Sequence, residues 1–254
     1  MEVTILGSGT GIPSLKRAHP SILVKSGSFK LLLDTGSGTL RRLLKADTEY
    51  YQIDLLFYSH FHPDHVADLV PFLFALRYWA LPKRETPIHL VAGEGLSGLY
   101  LALNKAFGHW IEPPEGLLRF YELPSDTTTY LRPLPGIIVR TGPVNHNPES
   151  LAIRIETHGK VLVYSGDTDF SEDLVNLARG ADMLICESST PEGMKITGHL
   201  TPSLAGRIAQ EARVKKLLLT HFYPPCEEAD ILESCGQEFS GEIILAQDLA
   251  TYQL

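Results

Sequence analysis

The chain predicts an α/β fold: a four-layer αββα sandwich in which two sheets pack face to face with helices outside. Two observations carry that expectation. Short apolar or alternating runs closed by Gly, Asp or Ser recur along the chain, as strands buried on one or both faces do. Stretches of helical pattern fall between them, and the second half repeats the grammar of the first.

In chain order, residues 3–6, 21–24, 30–34, 55–58 and 88–91 read as strands, with helical patterns at 39–46, 66–79 and 95–107. Residues 119–123, 137–141, 151–157, 160–165, 183–186 and 216–220 read as further strands, with helices at 171–178 and 202–211. Thr201-Pro202 is a good helix start, with Thr at the N-cap and Pro at the first position, where no amide is needed. A last strand is expected at 242–246, and the Pro-rich stretch 112–115 reads as a loop near the midpoint. No linker or charge block divides the chain, and 254 residues with 44% hydrophobic content can bury one core, so 1–254 is expected to form a single domain.

Composition narrows the function classes. A net charge of −8 provides no general attraction for nucleic acid. Cys186, Cys226 and Cys235 are an odd set without a C-x-x-C pair, which reads as free thiols in a reducing compartment and points to the cytoplasm. No apolar run approaches the ~20 residues of a membrane span, and no targeting segment is visible at the N-terminus.

Chemistry concentrates in Ser59-His60-Phe61-His62-Pro63-Asp64-His65, between an apolar strand and a helix. His60 and His62 sit two apart on extended chain and project to one side, while Asp64 and His65 fall on the first turn after Pro63. Imidazole and carboxylate suit zinc and related metals. One loop cannot close two metal sites, so further ligands are required at other strand ends. His146, Asp167 and His221 each follow a predicted strand.

These residues carry a resemblance. His60-x-His62-x-Asp64-His65, His146, Gly166-Asp167-Thr168 and Thr220-His221 resemble the ordered motifs of the metallo-β-lactamase superfamily, over almost the whole chain. Within it the chain is most similar to the ribonuclease Z group, through the Gly-rich opening Leu6 to Ser14 and the segment Glu85-Thr86-Pro87-Ile88-His89-Leu90. The resemblance implies the metallo-β-lactamase fold and two divalent ions, with zinc expected first and manganese or iron accepting the same donors. It assigns His60, His62 and His146 to one ion, Asp64, His65 and His221 to the other, and Asp167 to both. Cys186-Glu187-Ser188-Ser189 and Gly198-His199-Leu200-Thr201 resemble two further motifs of the group, whose acidic residue and histidine pair to protonate a leaving oxygen. Asp34 resembles the family's supporting aspartate, which would orient a ligand histidine from behind.

The expected activity is a binuclear metal-dependent phosphodiesterase in which a hydroxide bridging the ions attacks phosphorus, Asp64 orients it or takes its proton, and His199 backed by Glu187 acts as acid. The sequence departs from the group in two places. Asp68 stands where the family carries glycine, and only a hairpin's length separates His146 from Asp167, where ribonuclease Z enzymes insert an arm that grips tRNA. A small or flexible diester is therefore the expected substrate, with pre-tRNA the alternative. A rim formed by Lys16, Arg17, Arg77, Lys83 and Arg84, presented across a homodimer, would favour RNA. Rival readings are a lactone, thioester or β-lactam hydrolase, a di-iron oxidoreductase, or a metal-binding protein without turnover. Phe72, Phe74, Tyr78 and Trp79 read as a helix packing into core rather than as a site entrance, the Gly7–Gly11 stretch reads as a tight turn rather than a phosphate cradle, and His19, His89, His109 and His158 read as surface or loop residues.

Overall fold

Four layers form as expected. The computed structural model describes residues 1–78, 84 and 86–254. The predicted positions Trp79, Lys83 and Glu85 lie outside the described residues, as does the side chain of Tyr78. The first sheet contains β1 (Glu2–Gly7), β2 (Ser21–Ser26), β3 (Phe29–Leu33), β4 (Leu55–Tyr58), β5 (Ile88–Gly93) and β6 (Leu118–Leu123). The second contains β7 (Thr129–Leu134), β8 (Ile137–Pro143), β9 (Leu151–Thr157), β10 (Lys160–Tyr164), β11 (Met183–Glu187), β12 (Lys216–Thr220) and β13 (Glu242–Leu245). The final strand β14 (Thr251–Gln253) returns to pair with β1.

Alternation explains the layering. In β2 to β4, Ile22, Val24, Leu31, Leu33, Leu55 and Phe57 face the core shared with the second sheet. Their neighbours Leu23, Leu32, Leu56 and Tyr58 face a second core with α1 (Thr39–Lys45), α3 (Leu69–Tyr78) and α4 (Leu96–Phe107). Such strands are apolar on both faces and read as continuous runs. On the far side, α5 (Glu172–Ala178) packs across β8 and β9, while α6 (Pro202–Ala212) covers β11 and β12 and α7 (Ile231–Gly236) lies against β13.

Three expectations need correction. The helix expected at 66–79 is two elements, because α2 (Pro63–Val66) ends at Ala67 and α3 begins at Leu69. Asp68 sits at the break, its amide bonded to the Thr35 carbonyl at 2.9 Å and its carboxylate accepting from the amides of Gly38 (3.0 Å) and Leu40 (2.9 Å). Those amides open α1, whose own cap residue Gly38 has no side chain to satisfy them, so Asp68 does so from another element. Secondly, strand 242–246 is not the last, and β7, α7 and β14 went unread because they are short or carry many exposed polar residues. Finally, His89 is a buried member of β5 bonded to the Tyr121 hydroxyl at 3.0 Å, not a surface residue. His109 and His158 are exposed, while His19 is half-buried. Phe72 is fully buried in the outer core and Phe74 is half exposed.

β3 to β6 run parallel to one another, as do β10 to β13. β8, antiparallel to β9, points the same way as β10. The loops after β8, β10, β11 and β12 therefore open at the same end of the second sheet, the usual place for sites in such sheets. The Leu151 amide, bonded to the Ser59 carbonyl at 2.8 Å, brings the loop after β4 to that end.

Candidate metal centre

Tight contacts bring the loops together. Gly36 lies so near that a Cβ there would stand 2.3 Å from the Asp64 carbonyl. Gly166 takes a φ of +59°, and a Cβ on it would meet Cβ of Ser59 at 2.5 Å. Glycine is required at both positions, and the gain is that the His60 and Asp167 loops touch.

Seven predicted residues converge. One ligand-type atom from each of His60, His62, His146 and Asp167 lies within 4.8 Å of the others, and the same holds for Asp64, His65 and His221. Asp167 stands between the groups, with Oδ2 3.7 Å from His60 Nε2, and Oδ1 3.3 Å from His65 Nε2 and 3.4 Å from His221 Nε2. A third grouping joins Asp167 and His221 to His199.

The outer ring nitrogens are engaged. His60 Nδ1 meets Ser59 Oγ at 3.0 Å, His65 Nδ1 meets Asp34 Oδ2 at 2.8 Å, and His146 Nδ1 meets the Gly198 carbonyl at 2.9 Å. His221 Nδ1 meets Ser189 Oγ at 2.9 Å. Anchoring one nitrogen fixes the direction of the other. His62 is turned the opposite way, with Nε2 on the Asn147 side-chain amide at 3.0 Å and Nδ1 facing His146 Nε2 at 3.3 Å. Among the described residues, His60 Nε2, His65 Nε2, His221 Nε2 and Asp167 Oδ1 are buried without a hydrogen bond. Buried polar atoms are rarely left so, and four aimed at one another fit a cation.

Electrostatics agree. Burial alone would raise the Asp167 carboxyl, but the imidazoles of His221 and His65 hold it well below the usual carboxylate range. Asp64 is likewise held low against burial by its contact with His221 and by the charge of His65. His60 is pushed well below the ordinary histidine value by burial first and then by His65. Burial acts the same way on His65, yet Asp167 and Asp34 outweigh it and raise this ring well above its ordinary value.

Glu187 and His199 meet beside this cluster, at 3.0 Å between Oε1 and Nδ1. Glu187 is fully buried at the end of β11, so it is not the surface carboxylate that an isolated Glu suggests. Its oxygens also accept from the Thr168 amide (2.6 Å), the Leu200 amide (3.0 Å) and Ser189 Oγ (2.5 Å), tying the Asp167 and His199 loops together. Burial lowers the affinity of His199 for a proton, but the bond to Glu187 and its charge more than offset this and raise it. Nε2 of His199 has no hydrogen bond among the described residues.

Asp34, in the turn after β3, stands where the resemblance implies a supporting aspartate. Its carboxylate takes bonds from His65 Nδ1 and from the amide and hydroxyl of Ser59, each 2.8 Å, and from the Tyr164 hydroxyl at 2.7 Å. Ser59, Asn147, Tyr164 and Ser189 were not singled out from sequence. Their one visible signal is position, at or just past a strand end that carries a ligand. The expected basic rim is largely engaged elsewhere. Arg84 pairs with Asp54 at 2.8 Å, at the opposite end of β4 from His60. Lys16 and Arg17 pair with Glu227 at 3.4 and 2.5 Å, and Arg77 Nη1 donates to the Glu112 carbonyl at 2.5 Å. The Gly7–Gly11 amides are partly occupied too, Ser8 N by Asp248 (3.0 Å) and Gly9 N by the Ala18 carbonyl (2.8 Å), which leaves a tight turn.

Comparison with known proteins places this arrangement. Residues 30–222 match the family described as the Beta-lactamase superfamily domain. A ribonuclease Z of Mycolicibacterium gilvum is 30% identical over 275 residues, covering 100% of this chain and 96% of that protein. A metallo-beta-lactamase fold protein of Bacillus subtilis superposes with a TM-score of 0.85 at 25% identity, covering 99% of this chain and 98% of that one. The short form of human tRNase Z superposes at 0.82 with 23% identity, covering 100% and 99%.

Proposed function

This chain belongs to the metallo-β-lactamase superfamily, in its ribonuclease Z-like group, and from that premise we propose that it is a binuclear metal-dependent phosphodiesterase. The observation that carries the reading is the Glu187–His199 pair, a separate proton donor 3.9 Å from the Asp167 carboxylate of the metal cluster. An alkoxide leaving phosphorus needs a proton, and this pair would deliver it. The leaving oxygen of a lactone or nitrogen of a β-lactam needs one too, so the preference for phosphorus rests on the chain's similarity to ribonuclease Z.

The proposed ligands are His60, His62, His146 and Asp167 for one ion, and Asp64, His65, His221 and Asp167 for the other. Divalent ions bound there, zinc in first place, would supply Lewis-acid stabilisation at phosphorus and lower the pKa of water to ~7. Asp64, at the edge of the cluster, would orient the attacking water or take its proton. His199, its Nδ1 held by Glu187, carries the proton that Nε2 delivers to the leaving oxygen. Acid assistance of this kind contributes ~10²–10⁴-fold. Ser189 bonds both Glu187 and His221, which keeps the donor in register with the ligands. We take residues 1–254 as one catalytic domain, since β14 closes the first sheet from beyond the second.

β9 and β10 are joined by a tight turn, so no arm projects between His146 and Asp167. That favours a small or flexible diester. The second reading is tRNA 3′ processing, and the full-length similarity to a protein named ribonuclease Z favours it. One experiment separates them: metal analysis coupled to kcat/KM on a chromogenic diester, a cyclic diester, a lactone and pre-tRNA. Turnover of the lactone alone would remove the phosphodiesterase reading, and site-specific 3′ cleavage of pre-tRNA faster than any small diester would establish the second.

A further inference from the structure

Away from the strand ends that hold the metal cluster, the outer face of the second sheet gathers guanidinium groups. Tyr130 pairs across strands with Arg140, and Arg140 with Arg154, so the three form one row over β7, β8 and β9. Arg140 is exposed while Val139 and Thr141 beside it are buried, which turns the row outward. The C-terminal end of α5 lies against it. Thr128, Arg140, Arg154, Asn176, Leu177 and Arg179 together line a cavity of about 290 Å³.

The cavity has a fixed floor. Arg154 donates from Nε to Glu156 Oε1 at 2.7 Å, and from Nη1 to the carbonyls of Leu177 (3.0 Å) and Arg179 (3.1 Å), which close α5. Its Nη2 has no hydrogen bond among the described residues. Arg179 Nη2 donates to Asn176 Oδ1 at 3.0 Å, and Arg140 Nε lies 3.4 Å from the same Glu156 oxygen. Glu156 pairs with Arg140 and Arg154, and among the described residues Arg179 has no ion pair with a carboxylate. Like charges held so close repel, and in a chain of net charge −8 this is a local reversal of sign. An anion with several oxygens removes that repulsion and matches the planar donors of arginine. Beyond the cavity, Tyr130 is half exposed, with the guanidiniums of Arg132 and Arg140 at 5.5 and 5.9 Å from its ring centre.

We propose that this cavity binds a phosphate group, supplied by a nucleic-acid backbone or as free phosphate, with the Tyr130 ring as a stacking surface beside it. The inference does not depend on the proposed reaction.

The test uses metal-loaded protein and the double variant R140A/R179A, which spares Arg154 because that side chain closes α5. Two probes are used: a labelled oligouridylate followed by anisotropy over a salt series, its integrity checked on a gel, and inorganic phosphate followed by its shift of the melting temperature. For a backbone source, the variant binds oligouridylate about tenfold more weakly, and the slope of log affinity against log salt shrinks by about 1.4, for two phosphate contacts on a single strand. For a free-phosphate source, the variant loses the stabilisation by inorganic phosphate and leaves oligouridylate binding as it was. Equal behaviour of wild type and variant towards both probes overturns the proposal. Neither readout requires turnover, so a protein that hydrolyses no diester would fail the proposed function and still answer this question.

Discussion

Asp34 Oδ2 lies 2.8 Å from His65 Nδ1, with both side chains wholly buried and Tyr164 bonded to the same oxygen from the other sheet. The contact makes a turn residue of the first sheet a support for the metal cluster. Asp34→Asn keeps the shape and removes the charge. Metal affinity should fall 10- to 100-fold, in the range typical of such supporting groups. Chelator competition on the refolded variant measures it, and an unchanged affinity would mean that Asp34 serves packing alone.

Asp167 reaches toward both ligand groups, whereas His221 belongs to one side with Asp64 and His65. Asp167→Ala should leave the protein unable to retain either ion. His221→Ala should keep about half the metal. Elemental analysis after dialysis distinguishes them, and equal losses would contradict the assigned sharing.

His199→Ala should lower turnover of diesters with poor leaving groups by ~10²-fold or more. With nitrophenolate as leaving group the loss should shrink, since little protonation is needed, and metal content should not change. Identical losses on both substrates would remove the acid role. Glu187→Gln should show the same pattern with reduced thermal stability as well, because the carboxylate also receives the Thr168 and Leu200 amides.

Removing metal should destabilise the fold. Each ion present at a thousandfold above its dissociation constant adds about 4 kcal/mol, so two add about 8 kcal/mol, which for a chain of this length is a melting shift of about 20 °C. Calorimetry with and without chelator tests this. The shift should diminish in acid, because ligand imidazoles must lose their protons to bind, His65 most of all, with its proton affinity raised by Asp167 and Asp34.

Asp68→Gly introduces the residue the family carries there and strips two amides at the start of α1 of their acceptor. A loss of about 1 kcal/mol is expected, as for other helix caps, with metal content intact. Loss of metal instead would show that Asp68 acts on the site through the His65 turn.

The sequence by itself determined most of the strands, the layers and the positions of the proposed ligands. These signals are local: two-residue alternation marks a sheet face, and a histidine or aspartate just past an apolar run stands at a sheet's end whatever its partners. His60 to His65 could be read together because six consecutive positions span one strand-to-helix connection. Beyond Asp34, only the tertiary structure decided what stands behind the proposed ligands. Asp34 and Tyr164 are 130 positions apart, and Ser189 and His221 are 32 apart, so no window along the chain contains both members of either pair. The Arg140–Arg154–Arg179 cavity is likewise invisible in sequence, because strand pairing and the docking of α5 bring together charges that, read along the chain, look like separate solvated arginines.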